Sequence, residues 1–475
     1  MLSGCLEDTI CAVATPAGEG GIGIVRLSGS RAVAVAEGVV RLRSRQGLAS
    51  AVSHTLYLGD VRLPSSSNSG QTLGGDLSQF QEVFDEALVV YMKAPRSFTG
   101  EDVVEIQSHG GWLVLSLVCR ACLAAGARMA LPGEFTKRAF LNGRLDLSQA
   151  EAVLDTIRAK SAASLSAAQR QLRGELAQEV NAAREALLHL LAQLEAGIDF
   201  VGEDIELVEG QELLRTIDGV AAVVRRLERT AREGRLLREG ARVVITGRPN
   251  VGKSSVLNRL LKEDRAIVTP VPGTTRDTIE ESIDLDGLII ALVDTAGIRE
   301  TEDPLEREGI ERSRSAQRQA DLQVVVVDGA VALTEEDRAL VEQAAAGKHV
   351  IAINKTDLAR TVEPAATGSE AACVAISAKT GEGIDRLRAA IRSQLIGAGS
   401  DATEGVMVTN VRHHAALARA GEALAQAKGS AATAMAHEFV AVDVRAAADA
   451  LGEITGAITT DEILEQIFST FCVGK

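Results

Sequence analysis

Gly247-Arg248-Pro249-Asn250-Val251-Gly252-Lys253-Ser254 fits the pattern G-x-x-x-x-G-K-[ST]. Ahead of it Arg242-Val243-Val244-Ile245-Thr246 reads as a buried strand. Behind it Ser255-Val256-Leu257-Asn258-Arg259-Leu260-Leu261 reads as a helix. That is the strand–loop–helix setting of a phosphate-binding loop. In it, glycines let backbone N–H groups converge on a β-phosphate, and the helix N-terminus adds its positive dipole. Lys253 reaches the β/γ oxygens and Ser254 offers its hydroxyl to Mg²⁺. A Gly-rich turn matching by chance is the alternative for the motif alone. With the partners below, the stretch predicts a nucleotide switch or a nucleotide hydrolase.

Those partners follow in order. Asp294-Thr295-Ala296-Gly297 closes an apolar run, Leu288–Val293; the Asp can hold Mg²⁺ through water and the Gly N–H can sense a γ-phosphate. Asn354-Lys355-Thr356-Asp357 follows the run His349–Ile353. Its Asp carboxylate can accept two hydrogen bonds from guanine N1 and N2, which adenine cannot supply. Ser377-Ala378-Lys379 follows Cys373–Ile376 and can offer a backbone N–H to guanine O6. Each short match is weak alone; together, each at the carboxyl end of a strand, they predict GTP. Gly273-Thr274-Thr275-Arg276-Asp277 supplies a switch threonine, Thr275, to complete the Mg²⁺ shell beside Ser254. The expected GTP contacts are therefore Asn250 to Ser255, Thr269, Pro270, Val271, Pro272, Gly273, Thr274, Thr275, Asp294, Thr295, Ala296, Gly297, Asn354, Lys355, Asp357, Ser377, Ala378 and Lys379. After Asp-Thr-Ala-Gly, where Ras-type enzymes place a water-orienting Gln, stands Ile298. An apolar side chain cannot orient water, so another group must.

Continuous apolar runs alternating with helical stretches place residues 241–401 in a doubly covered parallel sheet. Residues 1–144 mix strand-like runs (Ile10–Ala14, Gly23–Leu27, Glu86–Tyr91) with helical ones and predict an α+β domain; the Gly/Ser-rich 65–75 reads as an exposed loop. From Leu145, Gly and Pro become rare, and Leu176, Val180, Ala183, Leu187, Leu190, Leu194 and Ile198 step by three and four. Ala/Leu-rich helices return after Gly397–Ser400. The fold class is thus an α/β P-loop domain (241–401) inserted into an all-α domain (145–240 plus 402–475), preceded by an α+β domain.

At 475 residues more than one core is expected. The net charge of −15 excludes broad, non-specific coating of nucleic acid but leaves room for a local basic patch. Six scattered cysteines lack the density of a disulfide framework and fit a reducing compartment. The lone Cys119-Arg-Ala-Cys122 has no second pair to complete a zinc site and reads as helix packing. No run approaches a membrane span, so a cytoplasmic protein without a membrane is expected.

Four stretches carry a resemblance that runs end to end. They are Asp8-Thr9-Ile10 with Gly20–Gly29, Ser97–Asp102 with His109-Gly110-Gly111, Pro132–Thr136 with Leu145–Leu147, and Phe471-Cys472-Val473-Gly474-Lys475. On them the chain resembles the MnmE (TrmE) family of tRNA-modification GTPases; the family tail more usually reads Cys-Ile-Gly-Lys. The resemblance implies a homodimer whose N-terminal domain binds 5-formyltetrahydrofolate or a related tetrahydrofolate, with Arg26, Glu105, Arg144 and Lys475 as contacts. Some members have Lys at the position of Arg144, and the two are not interchangeable donors. By pattern alone, Arg26 and Glu105 read equally as strand-edge charges. Cys472, in the motif that the family places beside folate, is implied as a thiolate or proton-transfer group. Asn250 with the Gly-Thr-Thr-Arg-Asp loop resembles GTPases that bind K⁺ where others insert an arginine finger. That implies K⁺ ligands Asn250, Thr269, Val271 and Thr274, and Glu306 as the acid that orients water. By pattern alone Glu306 is a solvated carboxylate on a charged helix.

The function implied is a K⁺-activated, Mg²⁺-dependent GTPase. It would act with an FAD-dependent MnmG-like partner, in a heterotetramer or larger complex, to build an aminomethyl or carboxymethylaminomethyl group on C5 of the tRNA wobble uridine. A ribosome-assembly GTPase would be expected to carry a basic RNA-binding module, which the Ala-rich tail is not. A folate-dependent one-carbon transferase with a vestigial G domain is disfavoured by the intact guanine and Mg²⁺ motifs.

Overall fold

The structure is a computed structural model that describes residues 8–16, 18–62, 83–199, 210–264, 281–294, 320–359, 361–362, 372–397, 405–433 and 436–475. By contacts the chain divides into two units, Met1–Leu154 with Thr455–Lys475, and Asp155–Ile454.

The first unit is built on a seven-stranded sheet: β1 (Ile10–Val13), β2 (Gly23–Ser28), β3 (Val40–Leu42), β4 (Leu56–Val61), β5 (Asp85–Met92), β6 (Val103–Ser108) and β7 (Arg128–Met129), in the order β3-β4-β5-β6-β2-β1-β7. Every pairing is antiparallel except β1 with β7. Burial alternates along β2 and β5, as expected of strands with one face on a core. Val25, Leu27, Val89 and Ile106 on that face meet α1 (Ala32–Val39) and α2 (Trp112–Ala124) through Val35, Ala36, Val118 and Cys122. Cys119 and Cys122 are buried there beside Cys11, and burial pushes the Cys122 thiol well up. The pair packs a helix, as its spacing predicted.

An ion-pair network closes this unit from below. Arg138 on α3 (Glu134–Leu141) is 2% exposed. It donates to Asp8 Oδ1 (2.5 Å), Glu134 Oε1 (3.1 Å) and Glu101 Oε2 (3.2 Å). Arg128 also pairs with Glu134 and Asp8. Burial alone would raise the Glu134 and Asp8 carboxyls, yet the two guanidiniums hold both below the ordinary range. The helix α4 (Leu147–Arg158) follows.

In the second unit α5 (Ala162–Leu172) starts with a capping box at Ser161, and α6 (Glu175–Asp199) and α7 (Gly210–Glu239) are long. Of the α6 stripe read from sequence, Leu176, Val180, Ala183, Leu187, Leu190 and Leu194 are buried and Ile198 packs against them. The sheet comprises β8 (Ala241–Thr246), β9 (Glu281–Leu285), β10 (Leu288–Asp294), β11 (Leu322–Asp328), β12 (His349–Asn354) and β13 (Ala372–Ala375), in the order β13-β12-β11-β8-β10-β9. It is parallel except for β9–β10. Its helices α8 (Lys253–Asp264), α9 (Glu335–Ala344) and α10 (Ile384–Ile396) leave apolar cores on both faces. Then α11 (Val411–Ala432) and α12 (His437–Thr455) complete the α7-centred bundle. The architecture is that expected: a P-loop α/β domain within helices, preceded by an α+β domain.

The tail helix α13 (Asp461–Ser469), capped by Thr460, packs Leu464, Phe468 and Phe471 against Leu147, Ala150 and Leu154. Two glycines permit this. Gly133 (φ 67°) and Gly474 (φ 99°) leave no space for a Cβ, because the Phe468 and Val13 carbonyls fill it.

Replacing Arg138 with Met would take the guanidinium from Glu101 and leave Asp8 and Glu134 to Arg128 alone, and cost the unit on the order of 3–5 kcal/mol. Because the Glu134 and Asp8 carboxyls are depressed, their contribution is complete above the unfolded carboxylate range and is lost as pH falls through the lowered values. Urea unfolding near neutrality and in acid should show that difference in the wild type and a smaller one in Arg138→Met.

Candidate functional site

The loop between β8 and α8 stands where β8 is flanked by β10 on one side and β11 on the other, the switch point at which open α/β sheets bind ligands. Gly247 (φ 148°), Asn250 (φ 64°) and Gly252 (φ 97°) have left-handed or otherwise unusual φ, so successive N–H groups can point inward. A Cβ on Gly252 would collide with Asn354 Nδ2. Lys253, 9% exposed, donates Nζ to the Gly247 and Arg248 carbonyls (2.8 and 2.9 Å), which aims the ammonium across the loop. Ser254 and Ser255 are exposed at the start of α8, and Val251 is buried beneath. Arg248 Nε anchors the loop to Asp337 Oδ1 at 2.7 Å.

Asn354 joins this loop to the residues expected from the sequence to meet guanine. Its Nδ2 donates to Val251 O (2.8 Å) and its Oδ1 accepts from Ala378 N (3.0 Å). Ser377, fully buried, donates to Asp357 Oδ1 (2.7 Å), orienting a carboxylate on an otherwise exposed residue. Lys355 takes a left-handed φ of 67° and donates to Asp328 Oδ2 at 2.6 Å. The exposed Lys379 completes the arc.

In the first unit, Arg26 and Glu105 face each other across β2 and β6 and pair at 2.8 Å. Phe98 and Phe135 flank the Arg26 guanidinium, each centroid 5.7 Å away. The tail brings Lys475 to the same place. Burial and the Arg26 charge lower its ammonium pKa, against smaller raising effects of Cys472 and Glu105. Two cations thus share one half-buried site, which suits an anion. Cys472 is exposed, its carbonyl accepting from Gly133 N and Lys475 N. Arg144 lies outward, with Nε 3.4 Å from Ser97 O.

The chain matches two family models in tandem, "GTP-binding protein TrmE N-terminus" over residues 9–144 and "MnmE helical domain" over residues 147–472. The protein named tRNA modification GTPase MnmE of Symbiobacterium thermophilum is 48% identical over 473 residues, covering 99% of this chain and 100% of that one. Its namesakes of Heliobacterium modesticaldum (46%; 98% and 99% covered) and Chloroflexus aurantiacus (48%; 99% and 100%) match equally far. The chain belongs to the MnmE family of tRNA modification GTPases. It is a GTP hydrolase of tRNA modification.

In this MnmE-family chain the described structure unites Asn250, Val251, Gly252, Lys253, Ser254, Ser255, Asn354, Lys355, Asp357, Ser377, Ala378 and Lys379 at one edge of the six-stranded sheet. Separately it gathers Arg26, Glu105, Lys475 and Cys472. Thr269, Pro270, Val271, Pro272, Gly273, Thr274, Thr275, Thr295, Ala296, Gly297 and Glu306 lie outside the described residues, as does the Asp294 side chain. Asp328 was not read from sequence, although it ends an apolar strand as Asp294 and Asn354 do. Phe98 and Phe135 stand within the family stretches Ser97–Asp102 and Pro132–Thr136, but no local pattern singled them out as neighbours of Arg26.

Asn354→Ala would free Val251 O and Ala378 N together. GTP affinity, read with a fluorescent guanine nucleotide, should fall at least about tenfold for two lost buried hydrogen bonds.

Proposed function

We propose that this chain is a K⁺-activated GTPase that dimerises through its N-terminal domain. Working with an FAD-dependent MnmG-like protein, in a heterotetramer or larger assembly in the cytoplasm, it installs the (carboxymethyl)aminomethyl group at C5 of the wobble uridine. Residues 1–144 form the dimerisation and folate-binding part, 145–240 with 402–475 the helical part and 241–401 the G domain.

The observation that carries the reading is the meeting of Arg26, Glu105 and Lys475 in a chain that also has a complete phosphate loop. Two neighbouring cations fit the carboxylates of a tetrahydrofolate, and Glu105 offers acceptors to a pterin amide edge, with Arg144 at the rim. When bound, 5-formyltetrahydrofolate or a related form supplies one carbon. The chain's part is to orient it and to keep Cys472 at the accessible end for a thiolate or proton-transfer role. For the nucleotide, the Cβ-free Gly252 and the Lys253 ammonium fit a triphosphate, and Ser254 with Thr275 fits Mg²⁺. Asn250, exposed in a left-handed turn, fits a monovalent cation together with Thr269, Val271 and Thr274. Glu306 orients the attacking water that Ile298 cannot.

The deciding experiment is GTP turnover with Mg²⁺ in K⁺ against Na⁺ at equal ionic strength. Stimulation by K⁺ of about tenfold or more is expected, and it should vanish in Asn250→Ala while nucleotide binding persists; equal, slow rates in both salts sink the K⁺ mechanism. Cys472→Ser should keep K⁺-stimulated turnover and lose tRNA modification, and full retention of modification removes the role given to that thiol.

A further inference from the structure

In a chain of net charge −15, the stretch from Arg31 to Arg62 carries five arginines against two acids, Glu37 and Asp60. Arg43 is neutralised, reaching Asp60 Oδ1 at 2.8 Å and pairing with Glu86. Three of its neighbours are not. Arg41 at the centre of β3, Arg45 in the turn after it and Arg62 just beyond β4 line one groove of about 450 Å³. Among the described residues none of the three has an ion-pair partner. The one acid on the groove wall is Glu37, whose Oε1 accepts from Ala49 N at 3.3 Å. The Arg62 Nε is buried with no hydrogen bond. The floor, Val40, Leu42 and Val89, is apolar, so nothing polar beneath compensates the charge.

Guanidiniums lining one groove repel one another, and a buried donor without an acceptor is costly. A ligand with several acceptor oxygens relieves both. We propose that this groove binds phosphate groups of the tRNA backbone. The inference rests on tRNA being a direct ligand of this MnmE-family chain. Arg41 is exposed on a strand at the edge of the sheet among the described residues, and Arg45 is exposed in the turn that follows, where a long polyanion can cross. Backbone contacts of this kind fix position without reading bases. A net charge of −15 repels RNA, so contact is favoured where positive charge is locally in excess, as in this groove.

The test uses the full chain and an unmodified tRNA transcript, with retention on filters measured from roughly 50 to 200 mM salt, where phosphate contacts dominate the salt slope. Arg41→Ala/Arg45→Ala removes two exposed side chains, so the fold and basal GTP turnover should persist. Affinity at low salt should fall about tenfold and the log–log slope should become shallower by roughly 1.5. Arg120→Ala/Arg338→Ala, the same charge change at two exposed arginines elsewhere, should move neither by more than about twofold. Unchanged affinity and slope in the first pair overturn the groove while leaving tRNA modification standing. Wild-type protein that retains no tRNA overturns the groove and the premise that tRNA is a direct ligand of this chain. Displacement of tRNA by micromolar inorganic pyrophosphate would give the groove to a small phosphorylated ligand and also defeat the RNA assignment; resistance to pyrophosphate supports it.

Discussion

The side chain of Asn354 ties the nucleotide site together. One amide holds the phosphate loop through Val251 O and the guanine-side loop through Ala378 N, while its backbone carbonyl takes Gly329 N at 2.7 Å. A residue 2% exposed has no water to replace these partners, so a change in one loop is felt in the other. This also explains the second glycine of the phosphate loop. Gly252 is needed for backbone N–H groups to approach a ligand, and equally because Asn354 Nδ2 occupies the space a Cβ would take. The loop after β8 and the stretch after β13 share an interior wall.

The N-terminal unit is organised by charge at two depths. In the Arg128–Arg138 network with Asp8, Glu101 and Glu134 each guanidinium meets more than one carboxylate, and this reads as structure. The Arg26–Glu105–Lys475 group is not saturated: two cations share one carboxylate, and the Lys475 ammonium is destabilised where it sits. Perturbed charge that lacks a partner belongs to a ligand more often than to a core. Gly133 and Gly474 allow the tail to come close enough for Lys475 to take part.

Much of this was legible in the sequence. The strands around Gly247–Ser254 were readable because a parallel sheet covered on both faces demands unbroken apolar runs, and α6 because its stripe has a period of 3.6. The placement of Lys475 was legible only through the family motif, since no local pattern states that a tail returns to β2. Phe98, Phe135 and Asp328 went unread for a related reason. Their roles come from neighbours remote in sequence, and a residue type common in cores or at strand ends gives no notice of them. Arg41, Arg45 and Arg62 were hidden by arithmetic, because a net charge averages away a local excess.

The β9–β10 hairpin shows how the nucleotide sheet is rooted in the helices around it. It turns at Asp286-Gly287, both with positive φ, the two-residue turn that suits strand twist, and Asp284 Oδ1 locks it by accepting from Gly287 N at 2.6 Å. A Cβ on Gly287 would stand 2.9 Å from that of Ala163 on α5. At the same end of the sheet, Gly240 packs against the Ile289 carbonyl, and Leu236 and Leu237 of α7 enter the core beneath the strands. Close-packed contacts of this kind move together rather than compress. A small residue at 163 and a glycine at 287 are therefore what let α5 and the hairpin meet directly, without an intervening loop.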